Sequence, residues 1–170
     1  EFPNLYQLKI CLKEAGIIKH VVFQRFGFRT VEVRQNDGIY VNGTKIMFRG
    51  ISRHNSWPTS GRCTDKELSI SDINLIKDMN INSIRMVSYP QDQHFIDACD
   101  SLGLFALSEF AGWHGYYDTE TGKKLIKEMV EQDVNHPSVI MWVNGNEGGF
   151  NPELRGEFAK NDIQKRIFIE

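Results

Sequence analysis

The sequence predicts an α/β fold, the first half of a (β/α)₈ barrel preceded by antiparallel strands, and three observations predict it. Alternating apolar and polar residues dominate the first 50 positions. Beyond Arg49, short apolar runs of strand length alternate with amphipathic helical stretches, the signature of βα units. No GxGxxG or Walker pattern follows an early strand, which disfavours the open doubly wound alternative and its nucleotide ligands.

The elements follow in order. Tyr6 to Leu12 alternates as a half-buried strand, a turn lies around Glu14-Ala15-Gly16, and Phe26 to Val33 reads as its antiparallel partner. Two or three such strands are marginal alone, so they belong to a larger sheet. Arg34-Gln35-Asn36-Asp37-Gly38 reads as a linker. Asn42-Gly43, between Ile39-Tyr40-Val41 and Thr44 to Phe48, is a strong two-residue hairpin signal.

Lys45 to Ile51 continues into a first barrel strand. Thr64 and Glu67 form a capping box that opens a helix with Leu68, Leu75, Ile76 and Met79 on its apolar face. Ile81 to Val87 is the second strand. Pro90 suits the first turn of the next helix, whose apolar side is Phe95, Ile96, Cys99 and Leu102, with Gly103 as its cap. Leu104 to Leu107 is the third strand. A loop from Glu109 to Gly122 leads to a helix carrying Leu125, Ile126, Met129 and Val130, which Pro137 ends. Val139 to Val143 is the fourth strand, continuously apolar and therefore covered on both faces.

Bulk properties narrow the partners. The chain has 20 Lys and Arg against 22 Asp and Glu in 170 residues, a net charge of -2, so no basic surface is available for nucleic acid. No apolar run is long enough to cross a bilayer, and the first residues have no signal-peptide pattern. Three cysteines without CxxC spacing suggest neither a disulfide framework nor a zinc site.

In a parallel barrel the loops after the strands converge on one rim, where chemistry is held. Arg49 and His54 belong to the first loop, Arg85, Ser88 and Tyr89 to the second, Glu109, Trp113 and His114 to the third, and Asn146 and Glu147 to the fourth. Carboxylates, amides, an imidazole and tryptophan suit a neutral sugar, whose hydroxyls hydrogen-bond and whose ring faces pack on aromatics. Each residue also has a structural reading: Arg85 in an internal ion pair, Trp113 in a core, Glu147 beside a helix N-terminus. Glu109, His114 and Glu147 together offer a weak hard-metal option, a structural Mg²⁺. No cofactor is otherwise implied, and no metal is expected.

Phe26-Gly27-Phe28-Arg29, Val41-Asn42-Gly43, Phe48 through His54, Asp72 through Lys77, Asn82-Ser83-Ile84-Arg85, Tyr89-Pro90, Cys99 through Gly103 and Asn135 through Glu147 occur in an order that resembles glycoside hydrolase family 2, the β-galactosidase and β-glucuronidase group. The resemblance covers nearly the whole chain. It implies that residues 1–34 end an immunoglobulin-like sandwich and that residues 35–170 are the first half of the catalytic TIM barrel. It implies Glu147 as acid/base, Asn146 as a ligand of the sugar 2-hydroxyl, Arg85 as support for the nucleophile and His54 as a wall of the sugar site; Glu109 and Trp113 are expected as further substrate contacts from their place on the rim alone.

A retaining mechanism needs a second carboxylate about 5 Å from the first. In the family it comes from a later strand, so the chain reads as a segment without the nucleophile, inactive by itself. Ser88 and Asn55 replace a usual histidine and a usual acidic residue, so a modified or polymeric β-galactoside is as consistent as a lactose-type substrate. The rival reading is a carbohydrate-binding or structural protein with a degenerate barrel. Half a barrel has two unpaired sheet edges, which predicts a homo-oligomer.

Overall fold

The computed structural model describes residues 2–170; Glu1, part of the sandwich segment expected at 1–34, lies outside them. The chain opens with a long hairpin, β1 (Tyr6–Glu14) and β2 (Ile17–Phe26), paired antiparallel from Tyr6↔Phe26 to Glu14↔Ile17. The strand expected at Phe26 to Val33 is thus displaced. The β-branched run from Ile17 to Val22 forms the partner strand, and residues 27–30 leave the sheet.

They leave it to reach the parallel sheet. Gly27 lies against the Pro137 ring, and Arg29 donates to the carbonyls of Pro137 (2.6 Å) and Val139 (2.5 Å) and to Gln164 Oε1 (2.8 Å). Burial, with Arg166 nearby, pushes the Arg29 guanidinium down to about 10. A cation is withdrawn from water here only because three acceptors receive it.

β3 (Val31–Arg34), β4 (Gly38–Val41) and β5 (Thr44–Ile46) form a three-stranded antiparallel sheet. The expected linker at Arg34–Gly38 is instead the tight turn between β3 and β4, closed by Asp37 N–H to the Arg34 carbonyl (3.1 Å). Asp37 also accepts Tyr40 Oη and Lys45 Nζ, each at 2.6 Å. Asn42-Gly43 turns β4 into β5 with φ of 50° and 75°, as that dipeptide requires.

The remaining chain alternates strand and helix. In order come β6 (Gly50–Arg53), α1 (Lys66–Asp78), β7 (Ser83–Met86), α2 (Gln93–Leu102), β8 (Phe105–Glu109), α3 (Thr119–Asp133) and β9 (Val139–Val143). A 3₁₀ turn (Pro152–Leu154), α4 (Arg155–Asn161) and β10 (Ile167–Ile169) follow. The five strands are parallel and neighbour one another in sequence order, as the wall of a barrel does. β10 is a fifth parallel strand beyond the four expected from the sequence.

Three helices start at residues other than those expected. Asp65, not Thr64, caps α1, its carboxylate accepting Leu68 N–H (2.8 Å), while Thr64 Oγ1 donates to Asn55 (2.6 Å). The buried face of α1 is Ser69, Ile73 and Ile76, and Leu75 and Met79 face water. α2 begins after Asp92 rather than at Pro90 and ends on Gly103 in the left-handed region, as expected. α3 begins after Asp118, placing Gly122 inside it against Leu154.

The core lies between the sheet and its helices: Ile84, Met86, Ala106 and Trp142 from the strands meet Phe95, Ile96, Ile126, Met129 and Phe158. β9 is buried along its whole length. Trp142 Nε1 donates to Asp162 (2.9 Å), which pairs with buried Arg166 (2.9 Å), so the strand that leads to Glu147 is pinned by apolar packing and an internal ion pair together.

Candidate active site

The carboxyl ends of β7, β8 and β9 bring the polar residues together. Glu109 ends β8 fully buried, and Arg85 from β7 donates Nε to its Oε2 at 2.5 Å. The backbone N–H of Ser88 donates to Oε1 at 2.7 Å, with Ser88 at φ 76°, a strained conformation for a side-chain-bearing residue. Both oxygens of Glu109 are therefore engaged. It holds Arg85 in place and does not offer a carboxylate to a ligand, which corrects the expectation of a direct sugar contact. Arg85 in turn reaches Asn146 Oδ1 (3.0 Å) through its other nitrogen.

The loops after β8 and β9 are laced backbone to backbone. Asn146 N–H donates to the Gly112 carbonyl (2.8 Å), and Gly149 N–H donates to the Asn146 carbonyl (2.8 Å). A Cβ at Gly112 or Gly149 would overlap the other's backbone, so only glycine permits this approach. That close contact carries Trp113 and His114 across to Glu147.

Glu147 sits at φ 46° with its side chain 55 % exposed. Trp113 Nε1 donates to Glu147 Oε2, and His114 Nε2 lies 3.1 Å from the same oxygen. The Trp113 and His114 rings stack at 5.2 Å. Among the described residues no hydrogen bond engages Oε1. The carboxyl group is thus held through one oxygen.

The other expected residues fall as follows. His54 is exposed on the loop after β6. Asn55 is buried, accepting from Arg53 and Thr64 and donating to the Arg62 carbonyl and Asp92, so it joins loops rather than facing the rim. The Ser88 amide and the role of Asn55 had no sequence signal, because neither a backbone N–H nor an internal amide network shows in residue types. Glu109, His114 and Glu147 do not gather as a metal triad; among the described residues Asp97, Asp100 and His136 do. Their atoms already have protein partners: Asp100 accepts His136 Nδ1 (2.6 Å) and Ser138 N–H (2.9 Å), and Asp97 pairs with Arg25 (2.7 Å).

The architecture is that of a (β/α) barrel carrying a carboxylate on the loop after its fourth strand. Residues 31–122 and 118–163 match the model described as glycosyl hydrolases family 2, TIM barrel domain, and the chain belongs to that family. A putative β-glucuronidase of Formosa agariphila is 38% identical over 158 residues, 91% of this chain and 19% of its own length. A β-galactosidase of Thermoanaerobacterium thermosulfurigenes is 37% identical, covering 82% of this chain and 20% of its own length. The chain thus spans about a fifth of these curated relatives. The structure of a Bifidobacterium dentium β-glucuronidase complexed with coumarin-3-O-glucuronide superposes with a TM-score of 0.88 at 27% identity, over 98% of this chain and 30% of that one.

Proposed function

We propose that the protein to which this chain belongs is a retaining exo-β-glycosidase, β-galactosidase-like, and that Glu147 is its acid/base. One observation carries the reading: an exposed carboxyl group on the loop after a fully buried strand, held through Oε2 by Trp113 and His114, with no hydrogen bond to Oε1 among the described residues. In that role protonated Oε1 gives its proton to the glycosidic oxygen while the nucleophilic carboxylate bonds to the anomeric carbon and the bond to the leaving group breaks. The resulting Glu147 carboxylate then takes a proton from the water that attacks the anomeric carbon and frees the nucleophile. Asn146, oriented by Arg85, is placed to hydrogen-bond a sugar hydroxyl.

The nucleophile is assigned to a residue outside these 170. Glu109, the local alternative, is fully buried and committed to Arg85 and Ser88. Residues 1–34, with β1 and β2, are assigned to the end of an immunoglobulin-like sandwich, and residues 35–170 to the barrel.

The test uses the full-length protein and the Glu147→Gln variant on aryl β-galactosides and β-glucuronides. Turnover is expected to fall about 10²- to 10⁴-fold, the usual contribution of a general acid/base. Azide should restore it by forming a glycosyl azide of retained configuration. Sugar binding without turnover by the unaltered protein would establish the degenerate-barrel alternative instead.

A further inference from the structure

We infer that Trp113, Tyr116 and Tyr117 form a platform for a ring-bearing leaving group, most simply the next sugar of a β-linked saccharide. The inference rests on the acid/base reading of Glu147. Its grounds are where the exposed aromatic residues lie and what anchors them.

The chain has three tryptophans. Trp142 is fully buried, whereas Trp57 and Trp113 are exposed on the loops after β6 and β8. A large ring that is exposed yet held in one place is available to pack against a ligand. Trp113 is fixed: its indole N–H is tied to Glu147, and His114 stacks on its ring. Tyr117 is anchored similarly, with its ring 5.5 Å from that of buried Phe110. Tyr116 is 63% exposed beside them. The three rings, with Ser88, Ala111 and Gly115, line a recess of about 260 Å³.

Chemistry selects the occupant. The atom that Glu147 protonates bridges the retained sugar and the departing group, so whatever departs lies next to Glu147 and to the indole bonded to it. Aromatic faces pack against the apolar C–H face of a pyranose or against an aryl ring, and they give little to a small anion. The recess carries no cationic side chain among its lining residues, which disfavours a phosphorylated leaving group.

Tyr116→Ala tests this best, since Tyr116 shares no hydrogen bond with Glu147, Arg85 or Asn146 among the described residues. In the full-length enzyme, kcat/KM is measured for a β-linked disaccharide, an aryl glycoside and a glycosyl fluoride, which has no ring to depart. The ratio of disaccharide to fluoride efficiency should fall about fivefold, the scale of one lost ring contact. A fall for the aryl glycoside as well marks a platform for rings in general, and a fall for the disaccharide alone marks a saccharide subsite. Unchanged ratios for both substrates overturn the inference. Absence of Glu147-dependent turnover of all three by the unaltered enzyme refutes the acid/base reading instead, so the two failures are distinguishable.

Discussion

Two carboxylate–imidazole pairs stand at opposite ends of the parallel sheet, and nearly everything else about them differs. Asp100 and His136 meet at 2.6 Å with side chains 4% and 7% exposed, where the chain enters β9. Glu147 and His114 meet at 3.1 Å with side chains 55% and 69% exposed, where the chain has left it. In the first pair every partner is supplied by the protein: Ser138 N–H takes the second Asp100 oxygen, and Gln93 takes His136 Nε2 (3.1 Å). In the second, Oε1 is left over. Saturation makes a pair structural, and an open valence on a fixed group makes it available for chemistry.

The largest effect expected from this contrast is the loss of turnover in Glu147→Gln. About 10²- to 10⁴-fold in rate is roughly 3–5 kcal/mol of transition-state stabilisation. Thermal melting of the same variant should scarcely move, because an exposed, hydrogen-bonded polar contact is worth about 0–1 kcal/mol. A variant that lost activity only in proportion to lost folded protein would place Glu147 with the structural pair.

Next in size is His136→Asn. It leaves buried Asp100 without its main partner, and breaking a buried pair costs roughly 3–5 kcal/mol. Urea denaturation of the full-length protein, monitored at the barrel, should show the transition move to lower urea. An unchanged midpoint would mean that Ser138 N–H alone satisfies Asp100.

The buried pair also gives stability a pH dependence of definite sign. Burial opposes charge on His136, but the hydrogen bond and charge of Asp100, with Asp133 and Asp97, outweigh it and raise the imidazole above its ordinary value. Burial also raises Asp133, against donation from Ser108 and Gln93 and the charge of His136. Each group is more protonated folded than unfolded, so each contribution is complete below the unfolded pKa and is lost as pH rises through the folded one. The Asp133 contribution should therefore decline from about pH 4 upward and that of the His136 imidazole from about pH 6.5 upward, each by at most about 1.4 kcal/mol per pH unit. Only the part that begins near pH 6.5 should be absent in His136→Asn, and a rise with pH above about 6.5 would contradict the assignment.

Sequence legibility divides along the same line. β9, the Asn42-Gly43 hairpin and the Gly103 cap were legible because each depends on near-neighbour chemistry: a run of five apolar residues, a dipeptide suited to positive φ, a glycine ending a periodic helix. β2 and the Arg29 hook were not, because residues 27–30 exchange strand pairing for acceptors more than a hundred residues away. Of the expected α1 face, Ile76 is buried but Leu75 and Met79 are exposed, because that set fits a helical period as well as Ser69, Ile73 and Ile76 do, and only contact with the sheet decides. At the rim, Arg85, Glu109, Trp113, Asn146 and Glu147 were found as residue types at strand ends. Their division of labour was invisible, since it depends on Ser88 N–H and Arg85 filling Glu109 while the glycine contact brings Trp113 to Glu147.

The smallest expected effect is the sharpest discriminator, because it applies the same substitution to the other pair. His114 has φ 58°, a region where asparagine is tolerated far better than alanine, so His114→Asn removes the imidazole without adding backbone strain. The exposed contact with Glu147 is screened by water, and stability should change by no more than about 0.5 kcal/mol. Glu147 would still be held by Trp113 Nε1, but through one donor rather than two groups, so its carboxyl plane gains freedom. That freedom should lower kcat more than it raises KM, since orientation of the acid matters most as the proton moves. If His114→Asn destabilised the protein as much as His136→Asn, the two pairs would be equivalent, and exposure would cease to separate the structural end of the sheet from the chemical one.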